Sequence, residues 1–417
     1  MKSKHYAWVI LVACCALSLS IGLTANCQGQ FFVPVTRDLG FGMGEFTLYG
    51  SIRGIFMVFA MFQLNKVLEK VNFRLLISSG FALTMLITAL MSTFNHIWQW
   101  YVAGAVLGIL SPMVGLVMPP IILSNWFVKR RGFAVGLAMT FSGIGGAVMN
   151  PILAWIIQSH GWRFAYIANA VIASVIILPF LIFVIDLKPS DRQLQPYGYE
   201  EQDGQSEPQG AAPAPQAEKL KGASREEAVH SFSFILMIVV SAAIGYFAGY
   251  SHLLAAYGAS IGLAATVAAL LSSLSMIGNV AIKVVLGLIN DKFGGMKMIY
   301  FNLGLTIASL VLLRLGVNNM PLLFTGALLA GNFLTISSVA MPLLVHTVYG
   351  SRDYTRIFVL LSVSMNLIMS FGQPLIGYTY DVTGSYALSQ NLGMVLVVIT
   401  AALTYLAYKS SRKITWS

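Results

Sequence analysis

Apolar runs long enough to cross a membrane recur along almost the entire chain, and they constrain its fold more than any other feature. They lie at roughly 6–34, 46–68, 74–94, 98–127, 131–158, 163–186, 232–257, 262–290, 297–316, 320–347, 354–380 and 386–408, each able to span about 30 Å of hydrocarbon. Lipid supplies no partner for backbone N–H and C=O groups, so such segments must be helices. Only 10% of the residues are charged, against about 25% in soluble domains. The expected fold is therefore an all-α membrane protein with twelve transmembrane helices.

The first run follows Lys2 and Lys4, as in a signal peptide, but it is too long for a signal h-region and lacks a small-residue cleavage site. It reads as a retained helix. Cys14, Cys15 and Cys27 all fall there, with no CxxC spacing and no nearby histidine. Neither a disulfide framework nor a metal site is expected, and nothing suggests a cofactor.

The net charge of +10 has an uneven distribution. With the N-terminus in the cytoplasm, 20 of the 25 Lys and Arg residues fall on the cytoplasmic side. This is the positive-inside bias, and it predicts an integral, multi-pass protein of the cell's inner or plasma membrane with both termini cytoplasmic. The charge is thus an orientation signal, and no nucleic-acid partner is expected.

Residues 187–231 differ from the rest. They hold eight acids and the Pro/Gln/Ala stretch Pro208–Pro215, a composition expected of a mobile cytoplasmic linker. The linker separates an N-terminal six-helix bundle, 1–186, from a C-terminal one, 232–417. The bundles repeat each other: Met118-Pro119 returns as Met341-Pro342, Asn150-Pro151 before Gly161 as Gln373-Pro374 before Gly384, and Glu69-Lys70 as Asp291-Lys292, all offset by 222 or 223. Two pseudo-symmetric units with a site between them near the bilayer midplane are the architecture of many secondary transporters.

Two cations stand alone in the apolar segments, Arg53 and Lys283, with no Asp or Glu at comparable depth. Such a charge costs about 2.5–3.5 kcal/mol even on the gentlest insertion scale, so it usually faces a wet, protein-lined cavity. An unpaired positive charge there attracts an anion. Lys283 ends a polar stripe, Ser272, Ser275 and Asn279, at helical spacing. The alternative is a lysine snorkelling to the cytoplasmic surface. Arg53, about seven residues and some 10 Å into the second segment, is either a second anion contact, an external gate residue, or a side chain snorkelling to Asp38 or Glu45.

Further polar positions are candidate substrate contacts: Asn26 and Gln30 in the first segment, Tyr246 and Tyr250 in the seventh, Asn332 in the tenth and Asn366 in the eleventh. Interhelical hydrogen bonding is the competing reading for each. His252 reads as an interface residue or a proton relay.

A moving scaffold is written in the motifs. Gly287 to Gly294 forms a cytoplasmic turn in which the glycines allow tight turning and Asp291 is a breakable latch for neighbouring basic helix ends. Glu69 is its counterpart in the first half. The stretch Asn125-Trp126-Phe127-Val128-Lys129-Arg130-Arg131-Gly132 anchors the interface, and the glycines after it offer a small-residue face. Pro151 and Pro374 should bend their helices for gating.

Together with Gly372-Gln373-Pro374-Leu375-Ile376-Gly377-Tyr378-x-x-Asp381-x-x-Gly384-x-Tyr386, these motifs resemble the major facilitator superfamily, and within it the monocarboxylate transporter and oxalate/formate antiporter branch. The resemblance implies that Lys283, eight residues before the turn aspartate, stands where the branch carries a substrate-binding cation, usually arginine. It also implies that Asn279 replaces the aspartate of proton-coupled members, which disfavours proton symport and favours exchange or uniport. The expected function is secondary transport of a small organic anion, a monocarboxylate, by alternating access. The expected partners are that anion and the bilayer, with the chain acting as a monomer. The alternative is efflux of hydrophobic drugs or other solutes, which commonly needs membrane carboxylates this chain lacks. An enzyme would need paired acids, a Cys/His arrangement or a metal cluster at midplane depth, and none is visible.

Overall fold

The structure, a computed structural model, describes residues 3–115, 118–199, 222–350 and 352–412. The side chains of Glu69 and Arg131 and the stretch Pro208–Pro215 lie outside the described residues. Eleven helical runs are long and apolar enough to cross a bilayer among the described residues. One of them, Gly132–Phe183, has 52 residues and leaves helical geometry at Gly161 (φ 82°, ψ 164°), so it contains two spans and the total is twelve.

The first half comprises α1 (Ser3–Leu23, continued as Gly29–Leu39), α2 (Met43–Lys70), α3 (Phe73–Leu90), α4 (Ile97–Val114, continued as Met118–Trp126), α5 (131–160) and α6 (162–183). The second comprises α7 (Phe232–Tyr250, continued as Leu254–Ser260), α8 (Ala265–Phe293), α9 (Gly295–Leu315), α10 (Met320–Leu329 through Met341–Tyr349), α11 (Tyr354–Thr383) and α12 (Ala387–Ser411). The repeat read from the motifs reappears in the backbone. Gly161 and Gly384 both take positive φ, 82° and 69°, where their helices turn back, a conformation glycine adopts without steric cost.

Four spans are interrupted, again in equivalent pairs. A 3₁₀ turn breaks α1 at Ala25–Cys27 and another breaks α7 at Ser251–Leu253. In α4 the helix stops at Gly115, and in α10 it widens into a π-segment, Ile336–Ala340. The repeated Met-Pro pairs explain the second set. Pro119 and Pro342 have no N–H for the carbonyl four residues earlier, and their rings crowd it, so the preceding turn must open. By contrast, the helices run uninterrupted through Pro151 and Pro374.

Small residues bring the helices together. A side chain on Gly22 would strike Ser142, Gly145 and Gly146 of α5, and one on Gly331 would strike the backbone of Ser275 and Asn279 in α8. At the end nearest the termini, Asp186 accepts from Arg74 at 2.6 Å and also pairs with Arg192, fixing α3 against the end of α6.

Both described ends of the 187–231 segment are anchored. Tyr197 N–H donates to the Trp126 carbonyl at 2.8 Å, with its ring against Trp8 and Phe127. On the far side, Ala223 N–H donates to the Tyr349 carbonyl at 2.8 Å and Arg225 N–H to Asp353 at 2.8 Å. A short helix, Arg225–Val229, starts there with a capping box; the Ser224 N–H and hydroxyl hold the Glu227 carboxyl below the usual carboxylate range.

Candidate functional site

The two halves touch at the end of the bundle remote from the termini. There Met43 N–H and Gly44 N–H of α2 donate to the Asp381 carboxylate of α11 at 2.8 and 2.7 Å. Gly44 and Gly377 pack backbone to backbone, and the Ser51 hydroxyl donates to the Ser370 carbonyl at 2.5 Å. Gly29 of α1 lies on the carbonyl of His252 in α7. Between α5 and α8, Gly143 meets Val280 and Gly146 meets Met276. Seven residues nearer the termini on the same faces, Gly136 and Gly287 have nothing among the described residues within 4 Å of a would-be side chain. The interface is closed at one end and open at the other.

Lys283 sits where it opens. It follows Met276 by seven residues and Val280 by three, so it lies on the face of α8 turned toward the other half. The strongly exposed stripe Ile277, Val284 and Leu288 is a separate face. The side chain is half-buried, about 15 Å from the nearer end of α8 at 1.5 Å per residue, and makes no hydrogen bond or ion pair among the described residues. Such an ammonium has three donors to offer.

Arg53 lies ten residues into α2, about 15 Å from the closed end, deeper than the expected seven residues. The helix starts earlier than expected because Asp381 satisfies its first N–H groups. Neither expected snorkelling partner receives it. Its Nε donates to the Ser111 hydroxyl of α4 at 3.2 Å, while Asp38 accepts from Trp162 at 3.0 Å and the Glu45 carbonyl from Tyr101 at 3.0 Å. Tyr49 and His252 are within electrostatic reach of the guanidinium. Tyr49 in turn donates to Gln28 at 3.4 Å. The Nδ1 atom of His252 is buried without a partner among the described residues. This nest of Gln28, Tyr49, Ser111 and His252 around Arg53 could not be assembled from the sequence, since its members come from four helices.

The other expected contacts are largely consumed by packing. Asn332 is fully buried and spends its amide on Asn302 and Thr306 of α9, at 2.6 to 2.9 Å. Asn279 donates to the Gly331 carbonyl at 3.1 Å and to Thr335 at 3.0 Å, holding α8 against α10. Ser275 and Asn279 thus face α10, while Lys283 faces the other half, which separates the stripe expected on α8. Asn26 donates to the Ser142 carbonyl at 3.0 Å, and Gln30 to Asn150 at 2.8 Å. Asn366 donates back to the Ser362 carbonyl at 2.8 Å. Tyr246 and Tyr250 both reach Ser389 of α12, at 3.2 and 2.5 Å.

Of the gating motif, Gly294 supplies the turn with φ 83°. Asp291 is exposed, and among the described residues its carboxylate meets a 3.5 Å approach from the amide of its neighbour Asn290. Arg130 is exposed at the turn into α5, with a left-handed backbone (φ 63°). Among the described residues no group of three or more His, Cys, Asp or Glu side chains is placed to hold a metal ion.

Two pseudo-equivalent helical halves, closed at one end and open at the other around a cation, define a membrane transporter of the internal-repeat class. The chain belongs to the Major Facilitator Superfamily, whose family model matches residues 12–313. Over 269 residues it is 25% identical to monocarboxylate transporter 13 of Bos taurus, covering 64% of this chain and 58% of that protein. Over 284 residues it is 27% identical to monocarboxylate transporter 11 of Homo sapiens, covering 64% and 54%. The matched region thus spans little more than half the length of these relatives. In fold, it superposes with a TM-score of 0.70 on the crystal structure of a bacterial homolog to the human lysosomal transporter Spinster, inward-facing and unoccupied, at 16% identity and 99% coverage of both chains.

Proposed function

We propose that this protein is a secondary transporter of a small organic anion, a monocarboxylate, that works by alternating access between bundles 1–186 and 232–417. Lys283 binds the carboxylate. The observation that carries this reading is the ammonium itself: half-buried, turned toward the opposite half, and unpaired among the described residues. The relatives named as monocarboxylate transporters support the same cargo class. Lysine offers a point charge where arginine would offer a fork, so selection among carboxylates is by size and apolar fit more than by bidentate geometry.

Arg53 and its neighbours form a second contact, reached when the other end opens. Asn279 carries no titratable proton, and both its amide hydrogens are engaged with α10. Transport is accordingly exchange or uniport, without proton coupling through this helix. The positive-inside bias puts both termini in the cytoplasm, so the open end faces inward. The working unit is a monomer in the bilayer.

Thermal-shift screening of purified protein against organic acids tests the site. Aliphatic monocarboxylate hits that stabilise wild type should leave Lys283→Ala unmoved and should shift Lys283→Arg. Equal responses from wild type and Lys283→Ala would remove Lys283 from the site.

A further inference from the structure

At the closed end lies a crevice of about 370 Å³, walled by both halves: Thr36 and Arg37 of α1, Ser260 of α7, Tyr380 and Asp381 at the end of α11, and Tyr386 at the cap of α12. That volume is in the range of small-molecule sites. Arg37 is exposed and makes no hydrogen bond or ion pair among the described residues. The acids nearby are engaged elsewhere. Asp38 accepts from Trp162 and lies 3.9 Å from Arg163, and each Asp381 oxygen accepts an N–H from α2. Tyr380 and Tyr386 stack with centroids 4.7 Å apart. Tyr386 is 2% exposed, and its hydroxyl has no partner among the described residues. A buried hydroxyl normally finds one.

We propose that this crevice is a second binding site, for a small aromatic carboxylate, separate from the Lys283 site. The carboxylate pairs with Arg37, the ring lies along the tyrosine stack, and the Tyr386 hydroxyl gains a partner. Because its walls come from both halves, an occupant favours the arrangement in which that end is closed. The inference stands on its own residues and does not depend on the cargo assigned to Lys283.

Equilibrium binding of benzoate to the purified full-length protein provides the test. Wild type and Lys283→Ala should bind alike, while Arg37→Ala should bind at least about tenfold more weakly, the scale of a lost charge-assisted hydrogen bond. Tyr386→Phe, which removes only the unpartnered hydroxyl, should also weaken binding. The native cysteines are buried, so maleimide labelling of introduced ones reads location and state. Benzoate should slow labelling of Ser260→Cys in the crevice and of Ser51→Cys beneath it. Absence of binding to wild type, loss of binding in Lys283→Ala, or unchanged binding in Arg37→Ala would each overturn the site. Binding with unchanged Ser51→Cys labelling would overturn its link to closure.

Discussion

At the scale of single residues, what distinguishes Lys283 from the amides near it is that it has no hydrogen-bond or ion-pair partner among the described residues. Asn332 sits in a closed network with Asn302 and Thr306, so Asn332→Ala should cost about 1–3 kcal/mol of stability and lower the melting temperature, with anion binding retained by whatever protein folds. Among the described residues Arg53 makes one hydrogen bond, to Ser111, which leaves further N–H donors on its guanidinium. Arg53→Ala should express near normally and transport poorly; unaltered uptake kinetics would reduce it to a packing residue. The lone charges were legible in the sequence because nothing neutralises them at their depth. Their surroundings were not. Asn279 shares a helical stripe with Lys283, yet the close approach of Gly331 to α8 turns that amide into a packing group. One-dimensional spacing gives a residue's own helix face and not the helix opposite it.

Helices and their ends carry the conformational logic. The Asp381 carboxylate caps the first turn of α2 from the other half, where the helix dipole favours negative charge. Asp381→Asn removes the charge and sets an NH2, which cannot accept, against one of the two N–H groups, which should weaken the closed end by about 1–3 kcal/mol. Maleimide should then label Ser51→Cys, buried beneath that contact, faster than in the same cysteine variant with Asp381 intact. Unchanged labelling would mean that the glycine contacts alone hold this end shut. Twelve spans, their order and the repeat could be read from apolar run length and from motifs at one offset. The interruptions at Gly115 and Ile336–Ala340 could not, although the Met-Pro pairs that cause them were in view. A proline states that a carbonyl loses its donor, but packing decides whether the turn breaks or widens. The anchored ends of the 187–231 segment were hidden for a similar reason: composition reports a tendency to stay solvated, and Tyr197 and Arg225 dock on surfaces that exist only after folding.

For the whole molecule, the closed contacts cluster at one end while Lys283 stands one helical turn beyond the last of them, on the open side. An anion drawn to that charge would enter from the open end and bridge toward Arg53 as the halves rock. With no carboxyl group paired to Lys283 among the described residues and an amide at position 279, an inward proton gradient across proteoliposomes should drive little uptake. Strong acid-driven accumulation would show a proton carrier elsewhere in the cavity, with His252 the first to replace. The most direct measurement is exchange of a radiolabelled monocarboxylate, chosen from the stabilising acids, in liposomes preloaded with the same compound. Wild type should exchange the label, Lys283→Arg should retain part of that rate, and Lys283→Ala should fall to the rate of empty liposomes. Exchange by Lys283→Ala at the wild-type rate would contradict the assignment of this ammonium as the anion's binding partner.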